Sequence, residues 1–85
     1  MNRMHCKLLT PNDTIFDRNI VSCIMPSVDG EMGVLYGHEE MVVGLKEGRI
    51  VITTDSEELI YKISSGVAYI DGKNCLVMVD IANPL

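Results

Sequence analysis

The sequence has no tryptophan, one phenylalanine and three tyrosines among its 85 residues. A ligand cavity walled by aromatic rings is therefore excluded, and any core must be built from Val, Ile, Leu and Met. Cations are few as well: seven Lys and Arg stand against twelve Asp and Glu, for a net charge of −5. The basic residues (Arg3, Lys7, Arg18, Lys46, Arg49, Lys62 and Lys73) are single and scattered. Without clustered Lys and Arg to displace counterions, nucleic acid is not a partner. No apolar run approaches the ~20 residues that span a bilayer. The opening MNRMHCKLL lacks an apolar segment followed by a cleavage site, so no signal peptide is expected. The three cysteines are an odd set with no CxxC pair, which reads as a reduced, intracellular chain and not as a disulfide framework.

What is present is short-period apolar sequence. Apolar residues make up 47% of the chain, and its length predicts one domain, residues 1–85, with a small core. Read with a period of two, MHCKLLT, NIVSCIMP, GRIVITT, ELIYKIS, GVAYID and NCLVMVD are strands. NIVSCIMP is nearly all apolar, as a strand covered on both faces would be. TPND, KEGR, TDSEE and DGKN supply turn chemistry between strands, with Asp71-Gly72 the clearest tight-turn pair. HEEMVVGL has the most helix-like periodicity but is too short and carries Gly44. Turn signals every eight to twelve residues predict an all-β sandwich or barrel.

One stretch invites a functional reading. SVDGEMGVLYGHEE, residues 27–40, packs together Gly30, Gly33, Gly37, four carboxylates and His38. It is no phosphate cradle: His38 and Glu39 follow Gly37 where a P-loop needs Lys and Ser or Thr. HEE resembles the start of HExxH, but Val42 occupies the second histidine's position. Cys23 and Cys75 lie in apolar strands as small core residues, and Ser64-Ser65-Gly66 is a turn without a nucleophile elbow. The stretch reads instead as a loop shaped by its backbone. Either it is an ordinary solvated loop, or it is a surface that another protein contacts through Met32, Tyr36 and its carboxylates.

LLTPNDTIFD, GEMGVLYGHEEMVVGLKEGRIVI and SSGVAYIDGKNCLVMVD resemble, in order and spacing, the N-terminal domain of the epsilon subunits of F-type ATP synthases. The family pattern runs Gly-Glu-x-Gly-Val-Leu-Pro-Gly-His, then an apolar run, Leu-Lys-x-Gly, and later Ser-Gly-Gly before a Val-rich strand. Gly30, Glu31, Gly33, Val34, Leu35, Gly37, His38, Leu45, Lys46, Gly48, Ser65 and Gly66 fit it. The resemblance implies a flattened sandwich of two antiparallel sheets and a non-catalytic place in the rotating central stalk. Its implied partners are the gamma subunit and the polar loops of the c-ring, with the membrane reached only through the ring; the want of a transit peptide points to the cytoplasmic face of a bacterial inner membrane ahead of a plastid or mitochondrial equivalent. No cofactor, metal or catalytic residue is implied. Carried over by position, Ser27, Asp29, Gly30, Glu31, Met32 and Gly33 face the ring loops. Tyr36, Gly37, His38, Glu39, Met41 and Val42 lie at the ring and gamma contacts.

Tyr36 stands where the pattern has proline, and Glu39-Glu40 where it has a small residue and proline, so a looser loop is expected there. Gly33→Val is expected to strain it. Family members continue into a C-terminal helical hairpin associated with inhibiting ATP hydrolysis. The sequence stops before that hairpin: coupling without the brake is expected if this is its natural length, and a brake that was cut away if it is not. The alternative from the residues alone is a stand-alone β-sandwich that holds a metal or small ligand through His38 and Glu40.

Overall fold

The computed structural model describes residues 2–85. Among them there is no helix, and ten strands follow one another: β1 (Met4–Leu9), β2 (Thr14–Ile20), β3 (Ser22–Ser27), β4 (Gly30–Leu35), β5 (Met41–Leu45), β6 (Gly48–Thr53), β7 (Glu58–Ile63), β8 (Gly66–Ile70), β9 (Asn74–Val79) and β10 (Ala82–Pro84). Hydrogen bonding runs in the order β10-β7-β6-β3-β5-β8-β9-β1-β2, with β4 on the remaining side of β3. The ladder folds at β3, which pairs with β6 through Ser22–Ile24 and with β5 only at Ser27–Leu45. Two five-stranded sheets result, β10-β7-β6-β3-β4 and β5-β8-β9-β1-β2, facing one another as a sandwich. The second sheet is mixed, because β1 runs parallel to β9 while every other pair is antiparallel.

The core is aliphatic, as the missing aromatics required. Met4, Cys6 and Leu8 of β1, Ile50 and Ile52 of β6, and Val77 of β9 are fully buried and alternate with outward residues, the period expected of strands with one face on a core. Phe16 closes one end of the cluster opposite Leu8.

Several expectations change. NIVSCIMP is not one strand: β2 ends at Ile20 and β3 begins at Ser22. Nor is its second half covered on both faces, since Cys23 and Met25 point inward while Ile24 is 41% exposed. β2 carries the polar run Asp17-Arg18-Asn19, which hides its period; it is an edge strand, where charge blocks unwanted pairing. The stretch expected to be a loop contains β4 as a full antiparallel partner of β3, and MVVGL is strand β5. Gly33 therefore sits mid-strand, paired with Ile24 on the outer face, and an added Cβ there meets nothing within 4 Å.

Gly66 is the glycine that packing demands. A Cβ at Gly66 would lie 2.2 Å from the Met78 carbonyl oxygen and 2.8 Å from a Val79 methyl. Gly66→Ala should lower the unfolding free energy by about 2 kcal/mol or more through forced backbone displacement. Gly33→Val should stay within about 0.5 kcal/mol of the parent, because a β-branched residue suits an open strand position. Urea unfolding of both variants checks the contrast, and a large loss at Gly33 would restore the strained-loop reading.

Candidate functional site

The hairpin joining β3 to β4 has only Val28 and Asp29 at its tip, between the paired residues Ser27 and Gly30. Tight hairpins carry positive φ either at the tip residues or, where a type I turn is closed by a bulge, on the residue that follows them. No described non-glycine residue adopts it, and Gly30 carries it at +126°. Ser27, 7% exposed, locks the turn: its Oγ donates to the Gly30 carbonyl at 2.6 Å and accepts the Asp29 N–H at 3.2 Å. The hairpin is then docked onto β5. The Val28 N–H donates to the Gly44 carbonyl and the Lys46 N–H to the Pro26 carbonyl, each at 2.9 Å.

This docking creates a groove of about 320 Å³ between hairpin and strand. Ser27, Asp29, Gly30, Glu31, Met32, Met41 and Val42 all line it, so most of the predicted contact residues converge on one surface. Asp29 and Glu31 are exposed, and Val42 is 63% exposed, which places carboxylates beside apolar area. Val28, Val43 and Gly44 line the groove too; Val28 falls within the turn 27–33 without having been singled out, and Val43 and Gly44 escaped sequence reasoning. Val28, 62% exposed at a turn tip, was the one with a visible signal, an apolar residue between Ser and Asp where turns favour polar ones.

Gly33, Tyr36, Gly37, His38 and Glu39 do not line this groove. Gly33 lies on the outer face. The others form a separate turn after β4, in which the His38 N–H donates to the Leu35 carbonyl at 3.1 Å and Gly37 has φ +88°, as the third residue of a type II turn requires. Tyr36 occupies the second position, where proline is favoured, and is 38% exposed. The turn is held from outside, by the Gly37 N–H donating to the Gly72 carbonyl at 2.8 Å. The Asp71–Asn74 turn thus braces His38, a support that sequence spacing could not reveal. His38 Nδ1 donates to the Glu39 carbonyl at 2.7 Å, which fixes its tautomer.

Joint ligation by His38 and Glu40 finds no support in this geometry. Glu40 lines a second groove, of about 480 Å³, with Met41, Val42, Tyr69 and the Asp71–Asn74 turn, and His38 does not. Among the described residues no three His, Cys, Asp or Glu side chains are grouped to hold a metal ion.

Asp71 organises the bracing turn. Its Oδ1 accepts the N–H groups of Lys73 at 2.7 Å and Asn74 at 2.8 Å, and these bonds, Lys73 first, hold its carboxyl below the usual carboxylate range. A carboxyl lowered by folding contributes stability that is complete above its unfolded value near ~3.9 and is lost as pH falls through the folded one.

The chain matches the family model for the β-sandwich domain of the ATP synthase delta/epsilon chain over residues 3–84. It is 32% identical over 80 residues to the ATP synthase epsilon chain of Helicobacter acinonychis, covering 94% of this chain and 65% of that one. Against the epsilon chain of Sulfurovum sp. it is 36% identical over 81 residues, covering 94% and 63%. The chain thus spans less than two thirds of the length of these relatives. Among solved structures it superposes with a TM-score of 0.92 on a chain of the Euglena gracilis mitochondrial ATP synthase (OSCP/F1/c-ring), at 24% identity, covering 99% of this chain and 54% of that one. On a chain of the Tetrahymena thermophila mitochondrial ATP synthase central stalk and c-ring the TM-score is 0.79 at 15% identity, covering 93% and 64%. Both likenesses establish the sandwich fold.

Two outcomes follow from the site's geometry. Asp71→Asn keeps an oxygen acceptor without a titrating group, so the loss of stability as pH falls below about 4 should be shallower than in the parent. Urea midpoints measured across that range decide it, and parallel curves would remove Asp71 from the acid response. Gly37→Ala should cost about 1–2 kcal/mol because its φ is positive, which a thermal melt reads directly.

Proposed function

The chain belongs to the ATP synthase delta/epsilon chain β-sandwich family, and from that premise we propose that it is a non-catalytic central-stalk module that binds both the gamma subunit and the polar loops of the c-ring. The observation that carries the reading is the convergence of the acidic β3–β4 hairpin and β5 on one groove. A partner loop entering it would meet carboxylates from Asp29 and Glu31 and apolar contact from Met32, Met41 and Val42. That mixture suits a basic protein loop, with charge setting register and on-rate and apolar area contributing affinity. The braced turn of Tyr36, Gly37, His38 and Glu39 is a second contact element, adjoining the first through β4. In this role the module reaches the membrane through the ring and sits peripherally, on the cytoplasmic side in a bacterium. Its work is mechanical: it transmits rotation, and the chemistry of ATP synthesis belongs to the complex.

Calorimetry of the chain with a gamma subunit, with and without detergent-solubilised c-ring, tests this. Binding to gamma at about 1 μM or tighter, near −8 kcal/mol, is expected. Absence of binding to either partner overturns the reading. Glu31→Lys should weaken ring attachment about tenfold, with a smaller effect on gamma. Equal losses on both partners would show that the hairpin does not face the ring.

A further inference from the structure

A sandwich of open sheets has to protect its edges, because each one exposes unpaired N–H and C=O groups that can template another strand. Most edges here are guarded. β2 carries the polar run Asp17-Arg18-Asn19. β10 is three residues long and ends on Pro84, which has no N–H to donate. β5 is tied to the hairpin by the bond from the Val28 N–H to the Gly44 carbonyl. β4 has no such device. Among the described residues Gly30–Leu35 pairs with β3 alone, and it contains no proline, lysine or arginine and only Glu31 as a charge.

Pro26 reveals which groups of β4 lie open. Its carbonyl accepts the Lys46 N–H, so its backbone points away from β4. Glu31, its register partner, then belongs to a pair without mutual hydrogen bonds, and the Glu31 N–H and C=O point out to the free edge. Alternation along the strand gives Gly33 and Leu35 the same direction. All three residues are exposed. Of their N–H and C=O groups, only the Leu35 carbonyl has a partner among the described residues, the His38 N–H at 3.1 Å.

An antiparallel strand centred opposite Gly33 meets all of these groups, and a second copy of β4 is such a strand. We propose that the free chain forms a two-fold symmetric dimer through this edge, joining the β4-containing sheets of two copies into one continuous sheet. Gly33 exchanges both N–H···O bonds with the partner's Gly33, while Glu31 faces the partner's Leu35 and Leu35 faces the partner's Glu31. This register sets no like charges opposite one another, whereas one centred on Glu31 would. On the outer face the two glycines leave a shallow gap flanked in each copy by Ile24 and Leu35, which are 41% and 58% exposed in the single chain. Pairing draws these apolar side chains toward one another and away from water. Self-pairing goes beyond the stalk role and does not rest on it. It occupies the same hairpin, so assembly with other subunits has to part the two copies.

Sedimentation velocity of the full chain from ~10 μM to ~1 mM, the range suited to a small interface, should show a monomer–dimer equilibrium. Over the same range the Gly33 and Leu35 N–H groups should exchange with deuterium more slowly as concentration rises. Gly33→Lys sets like charges against each other across the axis and should weaken the dimer about fivefold or more. Gly33→Val sets two β-branched side chains there and should tighten it about threefold. Glu31→Lys faces an apolar residue and should leave the dimer within about twofold, although the same change should loosen ring attachment, so the two uses of the hairpin are read apart. A monomer at ~1 mM, a dimer that Gly33→Lys leaves intact, or one that Glu31→Lys dissolves overturns the proposal. An added Cβ at Gly33 meets nothing within 4 Å, so these variants should fold. If one does not, the concentration dependence of the parent chain's Gly33 N–H exchange decides alone.

Discussion

Most of the architecture depends on β3 changing partners at Pro26 and Ser27. Up to Ile24 the strand pairs with β6 on one side, and from Ser27 it touches β5 in the other sheet, while β4 stays alongside throughout. Pro26 has no N–H to offer, so its side of the ladder ends there without an orphaned donor, while its carbonyl still takes the Lys46 N–H. The same residues start the acidic hairpin, because Ser27 bonds forward to Asp29 and Gly30. Sheet closure and site formation are therefore one event: loosening the corner opens the sandwich and releases the groove together.

A small aliphatic core makes this economy necessary. Two short sheets without tryptophan bury limited area, and no single contact dominates. Polar fasteners are accordingly placed where the sheets meet solvent. Arg3 pairs with Asp55 at 2.5 Å and Arg18 with Glu57 at 3.1 Å, joining the β1–β2 edge to the β6–β7 turn. These pairs are exposed and contribute little each, and they add to the backbone bond from the Val21 N–H to the Thr53 carbonyl at the same end, 2.7 Å. The Arg3 bond holds the Asp55 carboxyl below its ordinary range, so this fastener also weakens in acid.

The candidate contact surface has two kinds of support. The groove is made rigid by a hairpin bonded to a strand, and the His38 turn by a second turn bonded to the first. This explains how Tyr36 replaces a favoured proline without leaving the turn unsupported: the Gly72 carbonyl supplies from outside part of the restraint that proline would supply from within. The looseness expected from the lost proline is offset by a contact with a segment more than thirty residues away in the chain.

The sequence alone determined the all-β class, the aliphatic core and most of the turns, because alternation and turn residues are local and carry their own physics. It also marked the stretch 27–40 as distinctive, since glycine density and charge are visible without coordinates. It could not separate strand from loop there: β4 reads as glycine-rich and polar, and only its pairing with β3 makes it a strand. β2 and β5 stayed hidden for the same reason, their status resting on neighbours and not on their own pattern. Which glycine matters was likewise a tertiary decision, since Gly33 and Gly66 look alike in sequence yet one faces open space and the other a carbonyl oxygen at 2.2 Å from its missing Cβ. The open edge of β4 was beyond any local rule, because it depends on β3 spending its other side on β6 and then β5 and leaving β4 with a single partner.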